Sequence, residues 1–570
     1  MHQMHCLRTP TDAEWTYGRT SNLPPRWESR LLKAWKRRSK SDYYGANVEL
    51  RETTESLLRV RIPLDASDAD VCEAAKLLAE RCAGRAELFH TAAELRAAME
   101  RLCNGQGITP PPEKTRNGPA ISRMCCPLWW RRKLRKHQGH TVEAAAIRLG
   151  FVNRLRDLYV SNERLRARIQ QNQRNTATLE ATIATNEYGQ HFTLAELAAK
   201  GTANKAIRRA ELMTRISGFE RLALSMGHVG QFITITCPSR FHRFLTVNNG
   251  AMVVDNKNYD AAENPKTAQR YLAKVWSRIR SHLARQGIAL YGIRIAEPQH
   301  DGTPHWHLLV FCLKESVSRV QEIMKKHALN DNPNEPGAQE RRCDFKLMDP
   351  AKGSAAGYVA KYIAKNIDGQ YVGNDLNGQP ATTTAIRVEA WATTWGIRQF
   401  QQVGGPPVGV WRELRRIEAL PANAPAHLKR AHDAVNKIAV IEGRDNASAA
   451  WDEYCRAQDG PFSGRRAPIK LAMYSSEKLG MYGDPASQKP FGVETTAFET
   501  YADPNSAGNS LVRAVYWVVE SKRLTWEITS RNNRPALIGE QFAERMQSDQ
   551  PWTSVNNCTE RKFNLEQVTF

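Results

Sequence analysis

EPQHDGTPHWHLLVF, residues 297–311, contains a turn and the strand that leaves it. Alternate side chains of a strand share a face. His305 and His307 therefore point one way with Leu309 and Phe311, while Trp306, Leu308 and Val310 point the other. Immediately upstream, IALYGIRIAE (288–297) reads as a second strand on which Tyr291, Ile293, Ile295 and Glu297 share a face. PQHDGT between them has turn composition, so the two strands form a hairpin. Glu297 then sits just across the turn from both histidines. Two imidazoles and a carboxylate on adjacent strands can hold a divalent cation and leave positions open for substrate. Such a set suits Mg²⁺ or Mn²⁺ when a phosphate oxygen completes the shell, and Zn²⁺ binds the same ligands. His-x-His alone is more often a packed or surface pair. His300 and Asp301 read as polar loop residues, and either could replace Glu297.

The flanking sequence extends the hairpin into a unit. QFITITCPS (231–239) alternates apolar residues with Thr and stops at Pro238, as a strand does. In NPKTAQRYLAKVWSRIRSHLARQG, Asn264 and Pro265 suit the N-cap and first position of a helix. Leu272, Val275, Trp276, Ile279 and Leu283 form its apolar face, Lys266, Arg270, Lys274 and Arg278 its basic one, and Gly287 its C-terminal stop. A helix near 316–328, a short strand near 343–347 and a helix from about 352 follow. The order β-α-β-β-α-β-α predicts an α+β fold: an antiparallel sheet of split βαβ topology with helices on one face. Residues 331–341 and 368–381 read as loops.

The last helix of the unit carries GYVAKYIAKNI (357–367). Helical spacing sets Tyr358 and Tyr362 one turn apart, with Lys361 and Lys365 beside them and Val359 and Ile363 opposite. The bland reading is a helix with half-buried tyrosines. The chemical reading joins it to the hairpin. A phenol with a pKa near 10 is a poor nucleophile at neutral pH. A lysine charge and a nearby metal ease formation of the phenolate, and the metal polarises a scissile phosphate.

Lys plus Arg number 81 against 59 Asp plus Glu, a net charge of +22 that favours a polyanionic partner. The surplus is concentrated: residues 116–174 hold 14 basic and three acidic residues, or +11. Within them, CCPLWWRRKLRKHQ (125–138) places Trp129 and Trp130 beside Arg131, Arg132 and Lys133. These tryptophans either stack on bases or form the buried side of a helix with a solvated basic side. The 11 cysteines show no CxxC pair or zinc-finger spacing, which points to a reducing compartment. No signal pattern and no apolar run of spanning length is seen, so no membrane association and a cytosolic location are expected.

The chain divides into a helical region of unassigned role (1–103) containing an amphipathic helix around 71–82, and a Gly/Pro-rich linker (104–119). A basic, strongly helical region (120–228) comes next, then the β-α unit (229–380) and a mixed accessory region (381–570). No phosphate-binding GxxxxGK[ST] stretch occurs, so no ATPase is expected. The C-terminal third, with Trp391, Trp395 and Trp411, either grips a nucleic acid or packs as support.

FITITCPS, EPQHDGTPHWH and YVAKYIAK, in this order, resemble the three motifs of the HUH endonucleases. The Tyr-x3-Tyr form is similar to the two-tyrosine replication initiators, and most to the gene A replication proteins of tailed phages such as P2. WATTWGIRQFQQVGGPPVGVWRELRR (391–416) and PWTSVNNCT (551–559) add to the likeness, which runs from about residue 120 to the end; residues 1–103 add nothing to it. The resemblance implies an HUH-type sheet and a nuclease that nicks a replication origin through a 5′-phosphotyrosine and starts rolling-circle replication. Tyr358 and Tyr362 carry over as nucleophiles, Lys361 as the lysine between them, and His305 and His307 as metal ligands. Glu297 as third ligand rests on the hairpin geometry. Arg131, Arg132, Lys133 and Lys365 are candidate DNA contacts. The implied partners are single-stranded or supercoiled origin DNA and, in the bacterial host cytoplasm, a helicase and a DNA polymerase. Within the same chemistry, a relaxase or transposase is the alternative; outside it, a non-catalytic basic DNA-binding protein.

Overall fold

The computed structural model describes residues 11–59, 64, 66–248, 251–370, 380–436, 439–441, 444–502 and 510–530. Pro551 to Thr559 lie outside them.

Up to Ala181 every named secondary-structure element of the described chain is a helix. The helix expected around residue 71 runs Asp68–Ala83, started by a capping box in which Ser67 accepts from the Asp70 amide. Residues 104–119 do connect two helices, Ala92–Gly105 and Asn117–Met124, but both belong to one apolar cluster. Val71, Leu78, Leu95, Met99, Ile121, Met124, Trp129, Trp130 and Leu134 share it, with Ile108 contributed from the loop itself. Trp129 and Trp130 are thus packing residues: Trp130 is fully buried and its indole N–H donates to the Met124 carbonyl at 2.6 Å. Trp130→Ala is expected to cost about 3–5 kcal/mol in denaturant unfolding. Unchanged stability with weakened DNA binding would return this pair to base stacking.

The stretch 142–222 is not helical throughout. Thr182–Asn186 pairs with both His191–Thr193 and the distant Trp526–Ser530. Three β-branched residues, Thr182, Ile183 and Thr185, favour the strand. Its main partner lies over 300 residues away, where no local pattern points to it.

The central unit runs α1 (Lys205–Ser225), β1 (Val229–Ile235), α2 (Pro265–Arg285), β2 (Tyr291–Pro298), β3 (Pro304–Cys312), α3 (Val317–Ala328), β4 (Cys343–Leu347), α4 (Ala355–Ile367), α5 (Ala381–Trp395) and β5 (Phe400–Val403). The strands form one antiparallel sheet in the order β4-β1-β3-β2-β5. α2 begins as expected: Asn264 Oδ1 accepts from the amides of Lys266 and Thr267, and Pro265 is the first helical residue. The expected loop at 331–341 ends in one helical turn, Ala338–Arg341.

The sheet departs from the expectation of helices on one face: both faces are covered. Ile233, Ile235, Ala296, Trp306, Leu308 and Val310 pack with Leu272, Val275, Trp276 and Ile279 of α2 and Val320, Ile323 and Met324 of α3. On the other face Phe232, Tyr291, Ile293, Ile295, Leu309 and Phe311 pack with Leu212, Ile216, Phe219 and Leu222 of α1 and Val359, Ile363 and Ile367 of α4. The physical reason is the apolar content of both alternating sets in β3, Trp306, Leu308 and Val310 on one face and Leu309 and Phe311 on the other; leaving either set in water would forgo its burial. Gly292 in β2 has no room for a side chain, since a Cβ there would come within 2.1 Å of the Leu309 carbonyl oxygen.

Trp391 and Trp395 on α5, and Trp411 beyond β5, are buried, so they pack the interior rather than stand exposed. No helix among the described residues is long and apolar enough to cross a membrane.

Candidate active site

The β2–β3 register sets Glu297 opposite His305 and Ile295 opposite His307. On the other side of β3, Thr234 lies opposite His307. Glu297, His305 and His307 thus meet on the sheet face that α4 covers. The Nε2 atoms of the two histidines are 2.9 Å apart, and Glu297 Oε2 is 4.0 Å from His307 Nε2. One ligand atom from each residue lies within 4.8 Å of the others. Two nitrogens bound at right angles, each about 2.1 Å from one ion, stand about 3.0 Å apart. The imidazoles are spaced as such a pair.

Their protonation suits ligation too. Burial, His307 and Lys365 hold His305 well below the ordinary imidazole range, and burial lowers His307 against the opposing pull of Glu297. His307 Nδ1 is 3.0 Å from Thr234 Oγ1, a bond that fixes the ring through its outer nitrogen. His305 Nδ1 is buried without a hydrogen-bond partner. Glu297 is itself held on both oxygens. Asn366 Nδ2 donates to Oε1, and Lys365 Nζ donates to Oε2 at 3.3 Å. The donor set therefore fits a divalent cation, with Lys365 on the same carboxylate. Asp301, the alternative to Glu297, instead accepts from the Thr303 amide and pairs with His242 Nδ1 at 2.8 Å.

α4 is anchored at its start. Ser354 Oγ accepts from the Gly357 amide at 2.9 Å, and Glu220 of α1 accepts from the amides of Ala355 and Ala356 at 2.5 and 3.0 Å. A carboxylate there also favours the positive end of the helix. Val359 and Ile363 point into the core, which turns Tyr358 and Tyr362 to the histidines as half-buried rings. The Tyr362 ring centroid is 4.8 Å from that of His307. The two phenol rings are 6.1 Å apart. Lys361 Nζ lies 5.2 and 5.3 Å from the Tyr358 and Tyr362 rings, so it stands between them as expected. Burial, the Tyr358 phenol and the Glu297 carboxylate push the Tyr362 hydroxyl above its ordinary range. In the protein alone, Lys361 does not overcome these effects.

Several neighbours escaped the sequence reading. Phe232 stacks on His307 at 5.2 Å and 21°, and touches Tyr358 at 4.9 Å and Tyr362 at 5.2 Å. Its alternation with Thr234 in FITIT was the available signal. Asn366 joins the halves, since its Nδ2 also donates to the Tyr362 carbonyl at 2.6 Å. It lies four residues after Tyr362, one turn on. Lys346 of β4 sits 4.4 Å from the Tyr358 ring. Tyr159, near Lys365, carried no signal at all.

Of the candidate DNA contacts, Lys365 is in the centre and paired with Glu297 rather than presented to solvent. Arg131, Arg132 and Lys133 lie elsewhere, on the helix Pro127–Arg148. Arg132 donates to the Tyr482 hydroxyl at 2.9 Å and Lys133 to the Thr109 carbonyl at 3.0 Å. Among the described residues, no hydrogen bond or ring contact ties these three to His305, His307, Tyr358 or Tyr362.

Residues 70–370 match the family described as bacteriophage replication gene A protein (GPA). The match begins well upstream of residue 120, where the visible likeness starts. The chain is 38% identical over 416 residues to the replication gene A protein of Escherichia phage 186, covering 71% of this chain and 56% of that protein. It is 40% identical over 305 residues to the replication gene A protein of Escherichia phage P2, covering 52% and 40%. It is 29% identical over 448 residues to a probable replication endonuclease from a prophage-like region of Salmonella typhimurium, covering 77% and 52%. The chain spans about half the length of these curated relatives. No solved structure matches it.

Proposed function

The chain belongs to the bacteriophage replication gene A protein family, and from this premise we propose that it is a replication initiator of the HUH type. It nicks one strand of origin DNA through a tyrosine nucleophile and starts rolling-circle replication in the cytoplasm of a bacterial host. The observation that carries the reading is the Tyr362 ring, 4.8 Å from the His307 ring, over a converging Glu297, His305 and His307. The antiparallel β4-β1-β3-β2 order supports an HUH-type split βαβ sheet. The relative named a replication endonuclease supports nuclease chemistry.

In this reading a phenol oxygen of Tyr358 or Tyr362 attacks phosphorus, and the bond from phosphorus to the 3′ oxygen breaks. The phenol loses its proton, the leaving 3′ oxygen gains one, and the 5′ phosphate stays on the tyrosine. The phosphotyrosine preserves the diester, so a later 3′-hydroxyl can reverse the step and close a strand. Glu297, His305 and His307 would hold Mg²⁺ or Mn²⁺, which when bound supplies Lewis-acid polarisation of the scissile phosphate. Lys361 between the phenols offsets phosphate charge. Phe232 packs on both phenol rings and stacks on His307. Arg131, Arg132 and Lys133 add distant, sequence-independent phosphate contacts. Strand opening comes from supercoiling or a host helicase, and a host polymerase extends the free 3′ end.

The test is incubation with Mn²⁺ and single-stranded oligonucleotides that tile the replicon encoding the chain. One of them should yield a denaturation-resistant protein–DNA adduct and a shorter product with a 3′-hydroxyl. Binding without any adduct across the full set would leave a DNA-binding protein and overturn the nuclease reading.

A further inference from the structure

Lys365 is an ammonium of the centre that sits directly on a carboxylate oxygen the proposed cation would use. Its ammonium donates to Glu297 Oε2 at 3.3 Å, the same oxygen that lies 4.0 Å from His307 Nε2. The Glu297 side chain is 2% exposed and that of Lys365 20%. A carboxylate so buried is costly unless a positive charge accompanies it. An ion about 2.1 Å from Oε2 would lie within about 5.4 Å of the ammonium wherever it sat, in a site that salt screens poorly. The cation and Lys365 therefore compete for one carboxylate.

The geometry points to Lys365 as a resident counter-charge on Glu297 that a DNA phosphate draws away, so that metal binding and DNA binding reinforce each other. This rests on the reading of the centre as a metal-dependent phosphodiester site. The lysine also has a second neighbour. Its Nζ is 5.3 Å from the Tyr159 ring centroid, and ammonium groups are attracted to aromatic faces. Tyr159 is 3% exposed and holds a φ of 68°, a left-handed conformation rare for a bulky residue. Its ring lies parallel to that of His300 at 6.4 Å, and its amide donates to the His300 carbonyl at 3.3 Å. Such strain persists only where the surroundings over-determine the position. The fixed ring gives a long, flexible lysine a place to rest when it leaves Glu297. A phosphate beside the phenols attracts the ammonium off Glu297 and opens it to the cation. A cation that arrives first displaces the ammonium and frees it for the phosphate.

The experiment titrates Mn²⁺ by calorimetry into the full chain carrying Tyr358→Phe and Tyr362→Phe, which cannot cleave. It is run without and with a single-stranded oligonucleotide from the encoding replicon. The oligonucleotide should tighten Mn²⁺ binding about tenfold, within the usual range of site-to-site coupling. Adding Lys365→Met should tighten Mn²⁺ alone by about tenfold and shrink the oligonucleotide's gain below about threefold. Lys365→Arg, which keeps the charge, should retain the gain, and Tyr159→Leu should reduce it. Should Lys365→Met not fold, Lys365→Gln carries the same test. Mn²⁺ bound equally well with and without the lysine charge, or an undiminished gain in the uncharged variant, overturns the coupling alone. No Mn²⁺ binding in any of these chains overturns the metal-site reading and the coupling with it.

Discussion

With Tyr358→Phe and Tyr362→Phe combined, no covalent protein–DNA adduct forms. Attack on phosphorus needs a phenol oxygen, and this double variant removes both that face the histidines. The expected loss of cleavage is at least about three orders of magnitude, the scale on which a lost nucleophile is felt. The fold should survive, because Phe retains the ring that packs on Phe232. Each hydroxyl contributes no more than about 1.5 kcal/mol as a hydrogen-bonding group. The single variants should differ. The Tyr362 ring is 4.8 Å from His307, whereas Tyr358 reaches the histidine through Phe232. Tyr362→Phe should therefore cost more in the first cleavage of an oligonucleotide, and Tyr358→Phe more in the second. One phenol is occupied while it holds DNA, so either single variant should release linear multimers in place of unit circles. Denaturing gels and mass spectrometry of adduct peptides measure all three. An adduct in the double variant, or one mapped to another residue, removes α4 from the chemistry.

His305→Ala with His307→Ala should abolish cleavage, and so should a chelator, reversibly on adding Mn²⁺ or Mg²⁺. Two of the three proposed ligands are lost, and the remaining Glu297 is already paired with Lys365. Duplex binding should persist, since the proposed phosphate contacts lie on basic residues elsewhere. Stability should separate the two positions. His307 stacks on Phe232 and is hydrogen-bonded to Thr234, so its removal should cost about 1–3 kcal/mol in unfolding. His305 has a buried Nδ1 with no hydrogen-bond partner, so its removal should cost less. Gel-shift assays and denaturant melts report binding and stability beside the cleavage assay. Full cleavage in the chelator would exclude a metal step and leave the histidines as phosphate-site residues.

What the sequence determined by itself was whatever short-range periodicity controls. A strand repeats every two residues, so His305, His307 and Glu297 had to share a face once the hairpin was read. A helix repeats every 3.6, so Tyr358 and Tyr362 had to lie one turn apart with Val359 and Ile363 behind them. The caps of α2 were legible in Asn264 and Pro265 for the same local reason. Tertiary structure decided everything that depends on which distant segments meet. Only the packed molecule shows α1 covering the second sheet face with Phe219 and Leu222, and Glu220 capping α4. Whether Trp129 and Trp130 faced DNA or a core depended on the upstream helices Asp68–Ala83 and Ala92–Gly105. Lys365 read as a candidate DNA contact beside the tyrosines, and the fold pairs it with Glu297, 68 residues away. Tyr159, over 200 residues before Lys365, reaches it only through the fold. Backbone periodicity is set by neighbouring peptide units, whereas the partner of a buried charge is set by how the whole chain excludes water, and no window of sequence contains that.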